Sequence, residues 1–234
     1  MGPQESREAR KGDEGDVSLA VQNERSYYSV VAAKGEETRE RIVRHALELS
    51  STEGLGGISI GVLASDLGLS KSGLFAHFGS KEELQLAVLK LVAERFEREI
   101  LQPSFRAPRG EPRLRRIFDR WIDWVSDAAQ GGCPFVAASF ELDDKVDSRA
   151  RGFLVNAQRL LLATLARAAR IAQEEGHFRA DLDTDQFAFE LDGVMLSYSH
   201  WKRLLRDARA ESRARQAFER LLADAHPRVN PDAS

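Results

Sequence analysis

The stretch LASDLGLSKSGLFAHF, residues 63–78, decides the fold of this chain. It holds two apolar segments of only about two helical turns each, separated by Gly68. Isolated helices of that length are marginal in water, so they persist only inside a compact unit. A helix-turn-helix is the common unit of this kind. Gly68 suits its turn, where a positive φ is favoured, and the small Ala64 lets the two helices cross closely.

The second helix of this pair and the residues just beyond it carry a polar face. The face consists of small and basic side chains, namely Ser70, Lys71, Ser72, Gly73, His77 and Lys81. No acidic residue occurs from Ser70 to Lys81, so phosphates and base edges can approach without repulsion. The pattern predicts a DNA-binding face. The alternative is a plain turn between two helices of a bundle, with polar side chains that are merely solvated.

The rest of the chain indicates an all-α fold. Its 234 residues are 42% hydrophobic and 30% charged, which is typical of globular proteins, and the apolar residues recur at helical spacing. We predict an N-terminal three-helix helix-turn-helix DNA-binding domain and a larger C-terminal helical domain for ligand binding and dimerisation. The predicted boundaries are a flexible, disordered arm at 1–33, the DNA-binding domain at 34–80, the larger domain at 81–226 and a tail at 227–234.

Composition excludes several classes of protein. The apolar runs fall short of the roughly 20 residues that a membrane span needs, and the N-terminus lacks the apolar core of a signal peptide, so we expect a cytoplasmic protein without membrane contact. The single cysteine, Cys133, excludes an internal disulfide and a cysteine-rich zinc module, and it is interpreted as a bystander. The net charge of −3 does not exclude DNA binding, because only a local basic face is needed.

A longer segment resembles a known family. The run TRERIVRHALELSSTEGLGGISIGVLASDLGLSKSGLFAHFGSKEEL, residues 38–84, resembles the DNA-binding domain of the tetracycline-repressor (TetR) family. Residues 69–78 follow the third helix of the family and residues 80–84 the start of its fourth, and the GGCPF segment at 131–135 is similar to one subgroup. The resemblance implies a repressor that reads a palindromic operator in double-stranded DNA as a homodimer. It also implies a small-molecule inducer that binds the C-terminal domain and lowers operator affinity.

The resemblance assigns roles to single residues. Ser59 matches a position that contacts phosphate, His77 matches a histidine that approaches the DNA backbone, and Lys81 matches a phosphate-binding lysine. The base-facing turn of the third helix corresponds to Lys71, Ser72 and Gly73.

Phe75 departs from the family pattern. Its position usually holds a tyrosine whose hydroxyl binds phosphate, a hydrogen bond that phenylalanine cannot donate. Phe75 is therefore expected to offer apolar contact to a thymine methyl group or a sugar.

Two further sets of residues are candidates for sites in the C-terminal domain. Bulky residues beside the apolar stripes are core by default, but some of them can line a ligand cavity: Phe118, Trp121, Phe135, Phe153, Asn156 and Met195. Two amphipathic helices within 184–224 carry a second set, which packs either within one chain or, as the resemblance favours, in a four-helix dimer interface: Tyr198, Trp201, Leu205, Phe218 and Leu222.

Two other classes of function stay open at this point. One is a helical small-molecule-binding protein or enzyme without DNA binding, and the other is a helical interaction module that works through its dimer surface. The chain has no H-E-x-x-H, G-x-S-x-G, phosphate-loop or dinucleotide-binding pattern, so we predict neither catalysis nor a metal or cofactor.

Overall fold

The computed structural model describes residues 13–127 and 133–227, with the backbone alone for residues 13–33. Helices occupy most of this range: α1 Asp13–Gly57, α2 Ile60–Asp66, α3 Lys71–Phe78, α4 Lys81–Phe96, α5 Gln102–Ser104, α6 Glu111–Ser126, α7 Pro134–Leu142, α8 Arg149–Glu174, α9 Thr184–Arg203 and α10 Ala210–Ala225. A π-helical turn, Glu97–Leu101, joins α4 to α5. The described ranges contain no strand, which confirms the predicted all-α fold.

The chain divides into two compact units, residues 1–42 and residues 43–234. The sequence predicts a disordered arm over residues 1–33, whereas α1 already includes residues 13–33. This stretch has no proline and only one glycine, so nothing in it breaks a helix. Residues 1–12 of the predicted arm and residues 228–234 of the predicted tail lie outside the described residues. The other domain boundaries remain predictions.

The helix-turn-helix has the features expected from its sequence. Ser59 caps α2 with its hydroxyl, and Ser70 caps α3 by accepting a hydrogen bond from Gly73 N at 3.0 Å. Gly68 has a φ of 66° in the turn between them. Leu63, Ala64, Leu74 and Phe78 are buried and fill the space inside the unit. We call α2, α3 and the turn between them the reading unit.

Helix α4 runs from the reading unit into the larger part of the fold. Ser80 Oγ accepts a hydrogen bond from Glu83 N at 3.1 Å, as expected for its N-terminal cap. From Leu84 to Leu89 every residue is buried, because α3, α7 and α8 all pack against this helix. The predicted boundary at 80/81 therefore falls at the start of a continuous, buried helix.

The larger part of the fold is built around α6, α8, α9 and α10. Helix α9 packs along both α8 and α10, and α6 contacts α8 and α9. Phe118 of α6 stacks on Phe218 of α10 with ring centroids 4.0 Å apart. Ser126 and Tyr198 share a hydrogen bond of 2.7 Å between their oxygens, which joins α6 to α9. No helix within the described ranges is long and apolar enough to span a membrane.

His45 ties α1 to the reading unit. Its Nδ1 lies 3.0 Å from Oε2 of Glu48, and its Nε2 lies 3.0 Å from Oδ2 of Asp66 at the end of α2. The hydrogen bonds to Asp66 and Glu48 raise the pKa of His45 above its usual value of 6.5. The protonated imidazole, which donates from both nitrogens, is therefore the form that holds α1 and α2 together.

We expect His45→Gln to remove a pH-dependent part of the free energy of unfolding. Because the pKa of His45 is higher in the folded chain than in the unfolded chain, its stabilisation is complete below the unfolded pKa and is lost as the pH rises through the folded pKa. Urea unfolding followed by circular dichroism should show a larger wild-type advantage at about pH 5.5 than at about pH 8.5. An equal difference at both pH values would contradict this role.

Candidate nucleic-acid interface

The exposed face of α3 presents the predicted base-facing residues. Lys71 and Ser72 are exposed in the first turn, and Gly73 behind them is half-buried. Ser70 Oγ lies 3.1 Å from Ser72 Oγ and accepts from Gly73 N, so its hydroxyl holds the start of the helix. This first turn therefore has a fixed backbone and two exposed polar side chains, Lys71 and Ser72, which suits contact with a groove.

Ser59 and Lys71 meet over Gly61. A Cβ on Gly61 would lie 3.2 Å from Cε of Lys71, 3.5 Å from its Nζ and 3.8 Å from Ser59 Oγ. The missing side chain at Gly61 thus leaves room for the lysine to lie across α2 beside the serine hydroxyl. An ammonium group next to a hydroxyl is a suitable pair for a phosphate oxygen. Sequence reasoning proposed both residues separately and did not single out Gly61.

Phe75 is the apolar member of the face. Its side chain is 43% exposed, although its neighbours Leu74 and Phe78 are buried. An aromatic ring that stands in solvent on α3 can contact a thymine methyl group or a sugar, as expected from its place in the sequence. His77, the last of the predicted α3 residues, is half-buried beside the ring of Phe78.

Lys81 is engaged within the protein. Its Nζ donates to Gly56 O at 2.6 Å, in the last residues of α1 after the kink at Gly54. The sequence predicts this lysine as a phosphate ligand. An ammonium group carries three N–H donors, so two of them stay available for phosphate while the third holds the end of α1.

The nearest acidic side chains face away from α3 toward α8. Glu82 Oε1 accepts from Arg149 N at 2.8 Å, and Glu83 forms an ion pair with the guanidinium of Arg149. Hydrogen bonds from Ser148 and from the amide of Arg149 lower the pKa of Glu82. Their negative charge is thus compensated on the side away from the DNA-binding face.

The predicted pocket residues take other positions in the structure. Phe118, Trp121 and Met195 are buried by their neighbours in the core, and Phe96 packs edge-on against Trp121. Asn156 is exposed on α8, and Phe135 and Phe153 are half-buried. Phe118, Trp121 and Met195 thus act as packing residues in this structure, and the assignment of the six residues to a ligand pocket stays a prediction. The apolar spacing could not distinguish packing from cavity lining.

A cavity lies instead where α1, α4, α6 and α7 meet. Its volume is about 190 Å³, and none of the six predicted pocket residues lines it. Its lining is mixed: Arg44, Leu47, Glu48, Ser51, Val92, Arg95, Trp124, Asp127 and Pro134. The indole Nε1 of Trp124 is buried and lies near the Cys133 thiol, a weak acceptor, so a stronger acceptor placed in the cavity would satisfy it better.

The predicted dimer-interface residues divide into two groups. Tyr198, Phe218 and Leu222 are buried within the single chain, so their place in an interface stays a prediction. Ser126 and Phe118 of α6 meet Tyr198 and Phe218, and α9 packs along α10. Sequence periodicity does not reveal which neighbour covers an apolar stripe. Leu205 is exposed, and Trp201 is half-buried with the guanidinium of Arg213 over its ring.

A second apolar stripe on α9 escaped the sequence reasoning. Phe189 is 69% exposed and Leu196 is 40% exposed, and Gly193 lies between them on the same face. The spacing of four and three residues was a readable signal, since it repeats the helical period outside the core stripe. Beside it an open groove of about 500 Å³ runs between α9 and α10, lined in part by Val194, Trp201 and Ala217.

Cys133, the single cysteine of the chain, lies just before α7. Burial raises the pKa of the Cys133 thiol, which makes it a poor nucleophile. Among the residues that the structure describes, no group of three or more His, Cys, Asp or Glu side chains is placed to hold a metal ion.

Comparison with known proteins identifies the class. Residues 42–88 match the model described as bacterial regulatory proteins, tetR family, and residues 110–218 match the model described as tetracyclin repressor-like, C-terminal domain. The chain belongs to the TetR family of transcriptional regulators, which confirms the predicted family. No curated protein matches the chain significantly.

Solved structures agree with this placement. A TetR transcriptional regulator from Chloroflexus aurantiacus is 26% identical over 82% of this chain and 95% of its own, with a TM-score of 0.70. A TetR-family regulator from Cytophaga hutchinsonii is 20% identical over 84% of this chain and 98% of its own, with a TM-score of 0.73. AibR, solved with isovaleryl coenzyme A and operator DNA, is 21% identical over 82% and 99%, with a TM-score of 0.61.

The stacking of Phe218 on Phe118 leads to a prediction about stability. We expect Phe218→Ala to lower the free energy of unfolding by about 3–5 kcal/mol, since it leaves a cavity in the core. Leu205→Ala, at an exposed position, should change it by no more than about 0.5 kcal/mol. Urea unfolding at several protein concentrations measures both. A Phe218→Ala chain of unchanged stability that dissociates more readily would show that Phe218 belongs to an interface instead.

Proposed function

We propose that this protein is a repressor that binds a palindromic operator as a homodimer and is released by a small molecule. The observation that carries the proposal is the face of α3. Its first turn is held by Ser70, it exposes Lys71, Ser72 and Phe75, and no acidic residue occurs from Ser70 to Lys81. Such a face fits the major groove, where basic and small polar side chains reach phosphates and base edges.

Ser59 and Lys71 support a defined orientation on the duplex. Both lie beside Gly61 at the edge of the reading unit. In this orientation they would contact the phosphate backbone, and Ser72 and Phe75 would face the bases. Phosphate contacts fix register, and base contacts provide specificity. A dimer would place two such faces about 34 Å apart, or one DNA turn, so that each reads half of the palindrome.

The outer face of α9 supports the dimer. Phe189 and Leu196 are large apolar side chains in solvent, and Gly193 between them permits close approach of a second helix. Pairing α9 and α10 with the same helices of a second copy would cover this stripe and the neighbouring groove in a four-helix arrangement. Such an interface is self-complementary, as two-fold symmetry requires.

The cavity lined by Trp124 supports ligand release. Leu47 of α1 and Val92 of α4 line it together with Trp124 of α6, so a bound molecule would act on the helices that flank the reading unit. Its volume of about 190 Å³ suits a small ligand. Coupling requires that ligand and operator favour different states, each weakening the other by the same factor. AibR, a structural relative, was solved with both a coenzyme A thioester and operator DNA.

The operator contact can be tested with Lys71→Ala. In gel-shift titrations on duplexes from the DNA upstream of its own coding sequence, this change should weaken binding about tenfold, because it removes a cation from the face. The slope of log K against log salt should become shallower by about one unit.

Lys90→Ala provides the matched control, since Lys90 is exposed on α4 away from the reading unit. It should leave both affinity and salt slope unchanged. Failure of the wild-type chain to bind any upstream duplex would overturn the proposed function, and an unchanged slope for Lys71→Ala would remove Lys71 from the contact.

The dimer can be tested with Phe189→Asp. A carboxylate in the apolar stripe would be buried without a partner, so light scattering should report the mass of a single chain while circular dichroism keeps its helical signal. The same change at Phe140, which is 77% exposed on α7, should leave the dimer intact. If both variants remain dimeric, α9 does not form the interface.

A further inference from the structure

The glycine-rich end of α1, residues 54–57, follows a kink at Gly54 and encloses a carboxylate from α7; we call this segment the α1–α2 turn. The backbone N–H of Leu55 donates to Oε1 of Glu141 at 3.0 Å, and that of Gly56 donates to Oε2 at 2.5 Å. Glu141 belongs to α7, 85 residues further along the chain than Gly56. Hydrogen bonds to an ionised acceptor are about twice as strong as neutral ones, so this is a firm contact between distant segments.

The turn is shaped for this side chain. Gly54 has a φ of 75°, which favours glycine, and a Cβ at this position would lie 2.5 Å from Oε1 of Glu141. A Cβ on Gly56 would lie 3.0 Å from Oε2. Side chains at either position would therefore displace the carboxylate. Adjacent backbone N–H groups of this kind form an anion-binding concavity, and here a side chain of the same protein occupies it.

The same turn is connected to the start of α4. Lys81 Nζ donates to Gly56 O at 2.6 Å, and the amide of the buried Gln85 donates to Leu55 O at 3.0 Å. Residues 55 and 56 thus offer two N–H groups to α7 and two carbonyl groups to α4. The position of α7 determines the position of the turn, and through it that of a lysine predicted to bind phosphate.

A second contact from the C-terminal domain holds the start of α4. Arg149, the first residue of α8, pairs with Glu83, and its backbone N–H donates to Glu82 at 2.8 Å. Arg149 is largely exposed, so its ion pair is screened by water and adds little by itself. Glu141, with two backbone partners, is the stronger of the two contacts.

We propose that Glu141 is a positioning residue that fixes the reading unit against the C-terminal domain and so sets the distance between the two reading units of a dimer. The inference rests on the proposed function, because spacing matters only where a dimer reads two half-sites. The contact between α7 and the α1–α2 turn is then a second connection between the two domains, in addition to the continuous helix α4. Glu141 itself has no direct contact with DNA in this arrangement.

The test measures tolerance to operator spacing. Glu141→Gln keeps the size of the side chain but loses its charge and one acceptor, so the turn is held less firmly. The wild-type chain should lose affinity steeply when one base pair is added to or removed from the centre of its palindrome. Glu141→Gln should bind the native palindrome about tenfold more weakly and lose much less on the altered spacings.

Further readouts separate positioning from general damage. Affinity for a duplex with one intact half-site should stay within about twofold of wild type, because one reading unit is intact. Hydrogen exchange at the Leu55 and Gly56 amides should become faster in Glu141→Gln, whether or not DNA is present. Glu94→Gln, the same change at an exposed position on α4, should alter none of these quantities.

Each outcome either supports or overturns the proposal. An equal loss on the half-site would show that Glu141 only maintains the reading unit itself. Unchanged spacing preference with unchanged amide exchange would show that the contact does not position anything. If Glu141→Gln fails to fold, Glu141→Asp retains the charge on a shorter side chain and should show the same loosened spacing. A wild-type chain that binds no palindrome would refute the proposed function and leave the amide-exchange result as the separate test of the contact.

Discussion

The burial of α4 is the constraint on which the rest of the structure depends. Residues Leu84–Leu89 are buried on every side, although the segment begins at the reading unit and continues into the C-terminal domain. A helix in this position cannot shift without repacking α3, α7 and α8, because protein interiors are as dense as organic crystals. The segment includes a polar residue, Gln85, which is tolerated because its amide donates to Leu55 O. Mechanical connection between the domains therefore follows from packing.

The sequence predicts the helix-turn-helix well because its signals are local. Ser59, Ser70 and Ser80 each cap the helix that follows them, and Gly68 has the positive φ expected for the turn. Capping and turn geometry depend on residues within three or four positions of each other, so one chain segment contains the whole cause. The family resemblance covers the same segment, and the family models confirm it.

The C-terminal domain is harder to predict because its contacts join distant segments. Tyr198 and Phe218 have the spacing of an interface stripe, but Ser126 and Phe118 meet them from α6. Periodicity shows which residues share a helix face and does not show what covers that face. The contact of Glu141 with the α1–α2 turn is hard to predict for the same reason, because it joins distant segments. Gly54 and Gly56 indicate an unusual turn, but no residue near them indicates that the Glu141 side chain binds there.

One peptide group connects α4 to α7. The carbonyl of Leu55 accepts from Gln85, and the N–H of the same amide plane, which belongs to Gly56, donates to Glu141. Hydrogen bonds arranged in series polarise one another, with a strengthening of about 10–30% per bond. The carboxylate of Glu141 polarises the N–H of Gly56, which shifts electron density toward the carbonyl oxygen of Leu55 and makes it a better acceptor for Gln85. The carboxylate on α7 therefore strengthens the bond that satisfies a buried amide on α4, so the two helices are electronically as well as sterically connected.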